Sequence, residues 1–245
     1  MNHRLLLIGT TALVSVLALT GCGSGTHPGA TLAADQAAGA SDATADPATK
    51  VARLAHDRVA VHADATSSSA TVTTLRTTTA LGSPTTLLVL DHREGWVDVA
   101  LATRPNGSSG WVATADVHES TDDVVITVSL SDHLLRVTRG GSVAVETPIA
   151  VGAPGTPTPT GRFYVTDLVD TGKPNRAYGA FAFGISAHSD VLDQFGGGDG
   201  QIGIHGTNRP DSIGRSVSHG CVRVPDQVIE ALAHSIPLGT PATIS

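Results

Sequence analysis

Three side chains in one short stretch, 201–224, have the types and spacing for nucleophilic chemistry. Cys221 follows His219 by two positions and His205 by sixteen. A free thiol titrates at about pH 8.5 and is only a few per cent thiolate at neutral pH, so a nucleophilic cysteine needs an imidazole to take its proton. His205 and His219 are the candidates. Gly203, Gly206, Gly214 and Gly220 surround them, and glycine permits the backbone angles and close approaches that let N–H groups face a developing oxyanion. Two other readings use the same residues. Taken singly, a cysteine is most often a small buried hydrophobe and a histidine a hydrogen-bonded surface or core residue. His205, His219 and Cys221, with His188 as a fourth, could also ligate zinc. Structural zinc sites usually show paired short spacings such as C-x-x-C, which this sequence lacks. The expectation is therefore a thiol nucleophile with no metal and no cofactor.

The run Ile204-His205-Gly206-Thr207-Asn208, followed by Ser218-His219-Gly220-Cys221-Val222-Arg223, resembles the signature of L,D-transpeptidase catalytic domains of the YkuD type. The resemblance extends upstream, where 126–130 and Thr158-Pro159-Thr160-Gly161-Arg162-Phe163 are similar to the family's opening strands and its Thr-Pro-x-Gly turn. The short gap between His205 and Ser218 fits the compact bacillar members. The resemblance implies that Cys221 attacks the carbonyl joining the third residue of a peptidoglycan tetrapeptide stem to its terminal D-Ala. His205 would serve as the base, its ring held by the Gly206 carbonyl, and D-Ala would leave. Ser218 and His219 would line the pocket, and the N–H groups of Gly220 and Cys221 would receive the oxyanion. Arg223 would pair with a stem carboxylate, and Asn208 would be a further substrate contact. Transfer to the side-chain amine of a neighbouring stem gives a 3→3 cross-link. Carbapenems, whose strained carbonyl mimics the donor amide, are the implied inhibitors. Capture of the same thioacyl intermediate by water would make an L,D-carboxypeptidase, and capture by another amine would attach a different group. A non-catalytic wall-binding lipoprotein is the rival from another class, but a binder has no need of an unpaired thiol beside two histidines.

The rest of the chain must deliver and hold this stretch. Its 245 residues carry a formal charge of −7, and with no Lys/Arg block and few aromatics it suits neither phosphate tracking nor base stacking. Residues 1–21 open with Asn2, His3 and Arg4 and continue as the apolar run 5–19, the pattern of a secretory signal. Leu19-Thr20-Gly21-Cys22 resembles the bacterial lipobox, which implies lipidation at Cys22 and a protein anchored to the cell membrane, facing the wall. An ordinary cleaved signal with a chance cysteine is the alternative. With Cys22 acylated, Cys221 has no partner, and an unpaired thiol in an exported protein is a candidate reactive group. Residues 22–50 are Ala, Gly, Ser, Thr and Asp with scarcely a large apolar side chain, a composition that predicts a flexible linker.

Alternating segments at 58–63, 71–75, 86–90, 95–101 and 110–117 predict strands, with Pro105-Asn106-Gly107 as a hairpin turn. Trp96 and Trp111 sit in matching Gly-Trp-Val contexts on its two arms. The arrangement resembles the last strands of a bacterial SH3-like domain, which would occupy 51–118 and bind wall peptide or glycan or space the enzyme. Both tryptophans could equally be core. In 122–245, further strands are expected at 124–128, 134–137, 143–151, 163–169 and 181–185. A helix is expected at 225–235 with Pro225 at its first helical position and Val228, Ile229, Leu232 and Ile236 on one face, and 241–245 should close a sheet edge. The fold class is mainly β: a small SH3-like barrel, then an L,D-transpeptidase β-sandwich with one packed helix. Residues 152–161 and 186–200 read as substrate walls, a lid, or solvated connectors.

Overall fold

The computed structural model describes residues 48–172 and 176–245, which belong to one compact unit. The signal segment, the lipobox with Cys22 and nearly all of the 22–50 linker lie outside the described residues.

Seven short strands form the first sheet: β1 (Thr49–Leu54), β2 (Arg58–His62), β3 (Thr71–Arg76), β4 (Thr86–Arg93), β5 (Trp96–Ala100), β6 (Ser109–Ala113) and β7 (Val117–Asp122). Their order is β3-β2-β6-β5-β4-β1-β7, and every pairing is antiparallel. Period-2 alternation decides the faces. Val59, Val61, Val97, Val99 and Val112 point into one core, each at most 1% exposed. Trp96 and Trp111 point the other way, because Asp98 pairs with Trp111 and lies two residues from Trp96. Trp111 is nevertheless covered, since the Arg93 guanidinium sits 4.5 Å over its ring, while Trp96 meets His62 edge-on. Neither tryptophan is part of that core cluster.

The second sheet holds β8 (Val124–Ser129), β9 (Leu134–Arg139), β10 (Ser142–Pro148), β12 (Gly161–Asp170), β13 (Phe181–His188), β14 (Gln201–His205), β16 (Val222–Arg223) and β17 (Pro241–Ile244). Its order is β10-β9-β8-β17-β12-β13-β14-β16, and β11 (Val151–Gly152) pairs separately with β15 (Ser216–Ser218). A bridge between Ala150 and Arg223 ties the chain leaving β10 to β16, so the two edge strands are brought together. The carboxy-terminal β17 is central rather than an edge, parallel to β8 and antiparallel to β12. Among the described residues the single α-helix, α1 (Asp226–Ala233), buries Ile229 and Leu232. Pro225 is its N-cap rather than its first helical residue, with φ −56° and ψ 142°. The extended ψ follows from the Val224 N–H bond to His205 O, which keeps the chain in sheet geometry until Pro225.

Only Asp123 separates β7 from β8, and the two sheets share buried contacts. Tyr164, on β12, packs into the apolar core of the first sheet and donates its hydroxyl to Ala100 O at 3.1 Å. Thr240 Oγ1 donates to Asp122 Oδ2 at 2.5 Å, Ser83 Oγ accepts from Leu168 N–H at 3.2 Å, and Thr79 Oγ1 donates to buried Asp167. Tyr164→Ala should therefore cost about 3–5 kcal/mol, the usual range for emptying a large aromatic site. Both sheets should lose that stability together in a denaturant titration. Unchanged stability of either sheet, followed by its own hydrogen-exchange protection, would show that the shared core does not couple them.

Candidate active site

Parallel pairing of β14 and β16 places the chemistry-bearing residues. The register sets Ile204 against Val222 and His205 against Arg223. Alternation then turns Gly203, His205, Cys221 and Arg223 to one face, while Ile202, Ile204, Val222 and Val224 are buried on the other, each at most 2% exposed. Gly203 N–H points at Cys221 Sγ at 3.4 Å, and a side chain at Gly203 would lie on the face that carries the thiol. Cys221 and His205 line the same cavity of about 340 Å³, which continues into a second of about 260 Å³ shared with Ser218, His219 and Arg223.

The imidazole is fixed. His205 is 4% exposed and its Nδ1 lies 2.6 Å from Gly206 O. A carbonyl can only accept, so Nδ1 carries the hydrogen and Nε2 is left as the basic nitrogen. The segment after His205 is held in turn by Asp226, whose Oδ1 accepts from Thr207 N–H at 2.7 Å.

The turn before Cys221 is equally constrained. Ser218 Oγ donates to Cys221 O at 2.6 Å and accepts from Gly220 N–H at 3.1 Å. Thr158 Oγ1, in the Thr-Pro-x-Gly turn, donates to Gly220 O and accepts from Gly152 N–H, each at 2.8 Å. Gly220 has φ +115°, and a Cβ there would strike Ile202, so this position needs glycine. The Gly220 N–H expected as an oxyanion donor is thus engaged by Ser218, and the donor left is the Cys221 N–H. Ser218 acts as the brace of the turn.

Two aromatic side chains that the sequence did not single out complete the walls. Tyr178 lies 4.7 Å from the His205 ring, and Phe195 stacks on His219 at 5.0 Å and 25°. Both line the cavities that hold Cys221. Their sequence signal is faint: Phe195 precedes the Gly196-Gly197-Gly198 run, and Tyr178 precedes Gly179. Asn208, expected as a substrate contact, is exposed and lines neither cavity, because the chain turns away after His205 toward α1. His188 is also elsewhere: it is buried at the base of the 189–200 loop, with Nε2 3.1 Å from Asp199 Oδ2. Among the described residues, no three His, Cys, Asp or Glu side chains are placed to hold a metal ion.

Residues 123–244 match the model of the YkuD L,D-transpeptidase catalytic domain. Over 134 residues the chain is 32% identical to YqjB of Bacillus subtilis, a protein assigned as an L,D-transpeptidase, with 50% of this chain and 72% of that one covered. The chain belongs to the YkuD-type L,D-transpeptidase family. It is also 36% identical over 120 residues to Bacillus subtilis YkuD, likewise assigned as an L,D-transpeptidase; this covers 49% of the chain and 65% of that relative, so the chain spans just under two thirds of its length. The solution structure of the catalytic domain of the Enterococcus faecium L,D-transpeptidase is 26% identical over 51% of this chain and 98% of that one, with a TM-score of 0.37.

In this YkuD-type site, burial favours the neutral form of both Cys221 and His205. Burial pushes the Cys221 thiol up, opposed by the Gly203 N–H and the Arg223 guanidinium. Burial also pulls His205 down to about 4, with the Gly206 hydrogen bond opposing and Arg223 adding to it. Tyr178 is raised by burial and by its nearness to Cys221. A neutral thiol that shares a cavity with a neutral imidazole can react if the proton moves as sulfur attacks. A thiolate formed at Cys221 would face the Gly203 N–H and the Arg223 charge.

Proposed function

We propose that the protein is a cysteine-dependent L,D-transpeptidase of peptidoglycan stem peptides. The observation that carries this reading is the placement of Cys221 and His205 on one face of β14 and β16, with the imidazole locked so that Nε2 is the free base. Cys221 Sγ attacks the carbonyl preceding the terminal D-Ala of a tetrapeptide stem as its proton passes to His205 Nε2. The tetrahedral oxyanion is received by the Cys221 N–H. As the C–N bond breaks, His205 returns the proton to the departing amine of D-Ala, and a thioester remains on Cys221. The side-chain amine of a second stem then attacks the thioester, His205 takes the amine's proton and passes it to the leaving sulfur, and the 3→3 cross-link and free thiol form together. Arg223, in the cavity with Cys221, is the cation for a stem carboxylate.

The test is intact-mass analysis with peptide mapping after incubation with a disaccharide tetrapeptide. The expected product is an adduct on Cys221 equal to the stem minus D-Ala, formed with equal release of D-Ala and unaffected by EDTA. A carbapenem should acylate the same residue. Absence of both adducts from folded protein would overturn the reading. The lipobox at 19–22 supports an anchor at Cys22 on the outer face of the membrane, and Cys22→Ser should then release the protein from the membrane fraction. The SH3-like resemblance of 51–118 supports a wall-facing module ahead of the enzyme.

A further inference from the structure

The loop that carries Phe195 over His219 is fastened by the first sheet. Residues 189–200 leave β13 and return at β14, and the loop closes on itself where Ser189 N–H donates to Gly200 O at 2.9 Å. Arg104, in the turn between β5 and β6, reaches into this neck. Its Nη1 donates to Asp199 O at 2.6 Å, and its Nη2 donates to Ser189 O at 3.1 Å and to Leu192 O at 3.0 Å. Gly200 sits at φ +80°, and a Cβ there would strike Leu192 O and the Arg104 guanidinium; the neck is shaped around that group. Asn106, two residues on, pairs with His188 as a neighbouring strand would. Its Oδ1 accepts from His188 N–H at 2.8 Å, and its Nδ2 donates to His188 O at 2.8 Å and to Asp190 Oδ1 at 3.2 Å.

Within this loop, residues 190, 191 and 193–199 are exposed, so it has little apolar burial of its own and should open locally at low cost unless something holds it. A planar guanidinium bonded to three carbonyls is a stiff fastening. The first sheet also reaches the cavity directly, because Leu81, 57% exposed, lines the cavity that holds Cys221. We propose that Arg104 and Asn106 are positioning residues for the acyl donor. By holding the 189–200 loop they keep Phe195 stacked on His219, so the first sheet sets donor affinity as well as spacing the enzyme. The donor's identity rests on the transpeptidase reading; the fastening does not.

The test uses the full-length chain and the variants Arg104→Ala, Arg104→Lys, Asn106→Ala, Phe195→Ala and the Arg104→Ala/Phe195→Ala double. Amide hydrogen exchange across 189–200 should rise about tenfold in Arg104→Ala, with β8, β12 and β17 unchanged. The tetrapeptide concentration giving half-maximal acylation of Cys221 should rise about tenfold, with the maximal acylation rate within about threefold of wild type. Phe195→Ala should show the same split, and the double variant should be no worse than either single one, since both act through one ring. Arg104→Lys should recover only part, because an ammonium cannot span the three carbonyls. Asn106→Ala carries the test if Arg104→Ala does not fold. Unchanged loop exchange, a wild-type half-maximal concentration, or additive effects in the double variant would each overturn the proposal. If wild type is not acylated by any stem, the transpeptidase reading and the donor part of this one fall together, while the exchange data still decide whether the loop is fastened.

Discussion

Cys221→Ala is expected to abolish acyl transfer, with a loss on the order of 10⁴–10⁶-fold, the scale seen when a covalent nucleophile is removed. Cys221 is the free cysteine among the described residues, and the cavity contains no other thiol. The substitution removes one sulfur from a turn whose hydrogen bonds are made by Ser218, Thr158 and the backbone. The fold should therefore persist, and the loss can be assigned to chemistry. The measurement is D-Ala release with intact mass on the same sample. Release at a wild-type rate from a folded Cys221→Ala protein would sink the nucleophile assignment.

His205→Gln should lower acylation by roughly 10²–10⁴-fold, the usual contribution of a positioned general base. The pH dependence makes the role of this ring specific. Burial holds His205 at about 4, so the imidazole stays neutral through the range where an exposed histidine would charge. The acid limb of the acylation rate should fall near pH 4, with little change from about pH 5.5 to 7.5. Stability follows the same sign. The unfolded chain binds a proton at His205 below pH 6.5 that the folded chain refuses until about 4. Stability is therefore full above 6.5 and falls as pH drops toward 4, by about 3 kcal/mol, and His205→Gln should remove that slope. An acid limb near 6.5 would mean that the ring is solvated in the working enzyme.

The sequence alone singled out Cys221 and two candidate bases, His205 and His219, because a thiol that needs a base leaves few choices in a chain with one cysteine outside the amino-terminal segment; the choice of His205 came from the family resemblance. It also determined most strands, since alternation such as Val97 and Val99 against Asp98 is a local property of the pleat. The buried face of α1 was legible for the same reason, its period being carried by Ile229 and Leu232, with Ile236 buried just past its end. What local pattern could not carry is which distant groups compete for a polar atom. Gly220 N–H reads as a free donor until the turn brings Ser218 Oγ to it, and Asn208 reads as a site residue until the chain turns away to α1. The central place of β17 is a matter of long-range pairing between Ala242 and Ile126, which no window around the carboxy terminus contains. The same holds for the two aromatic walls and for Arg104. Each acts through contacts with groups far along the chain, 85 positions or more in the case of Arg104 with Ser189, Leu192 and Asp199. The Arg104 contacts exist only once the two sheets have packed together, and the aromatic ones only once the second sheet and its loops have formed.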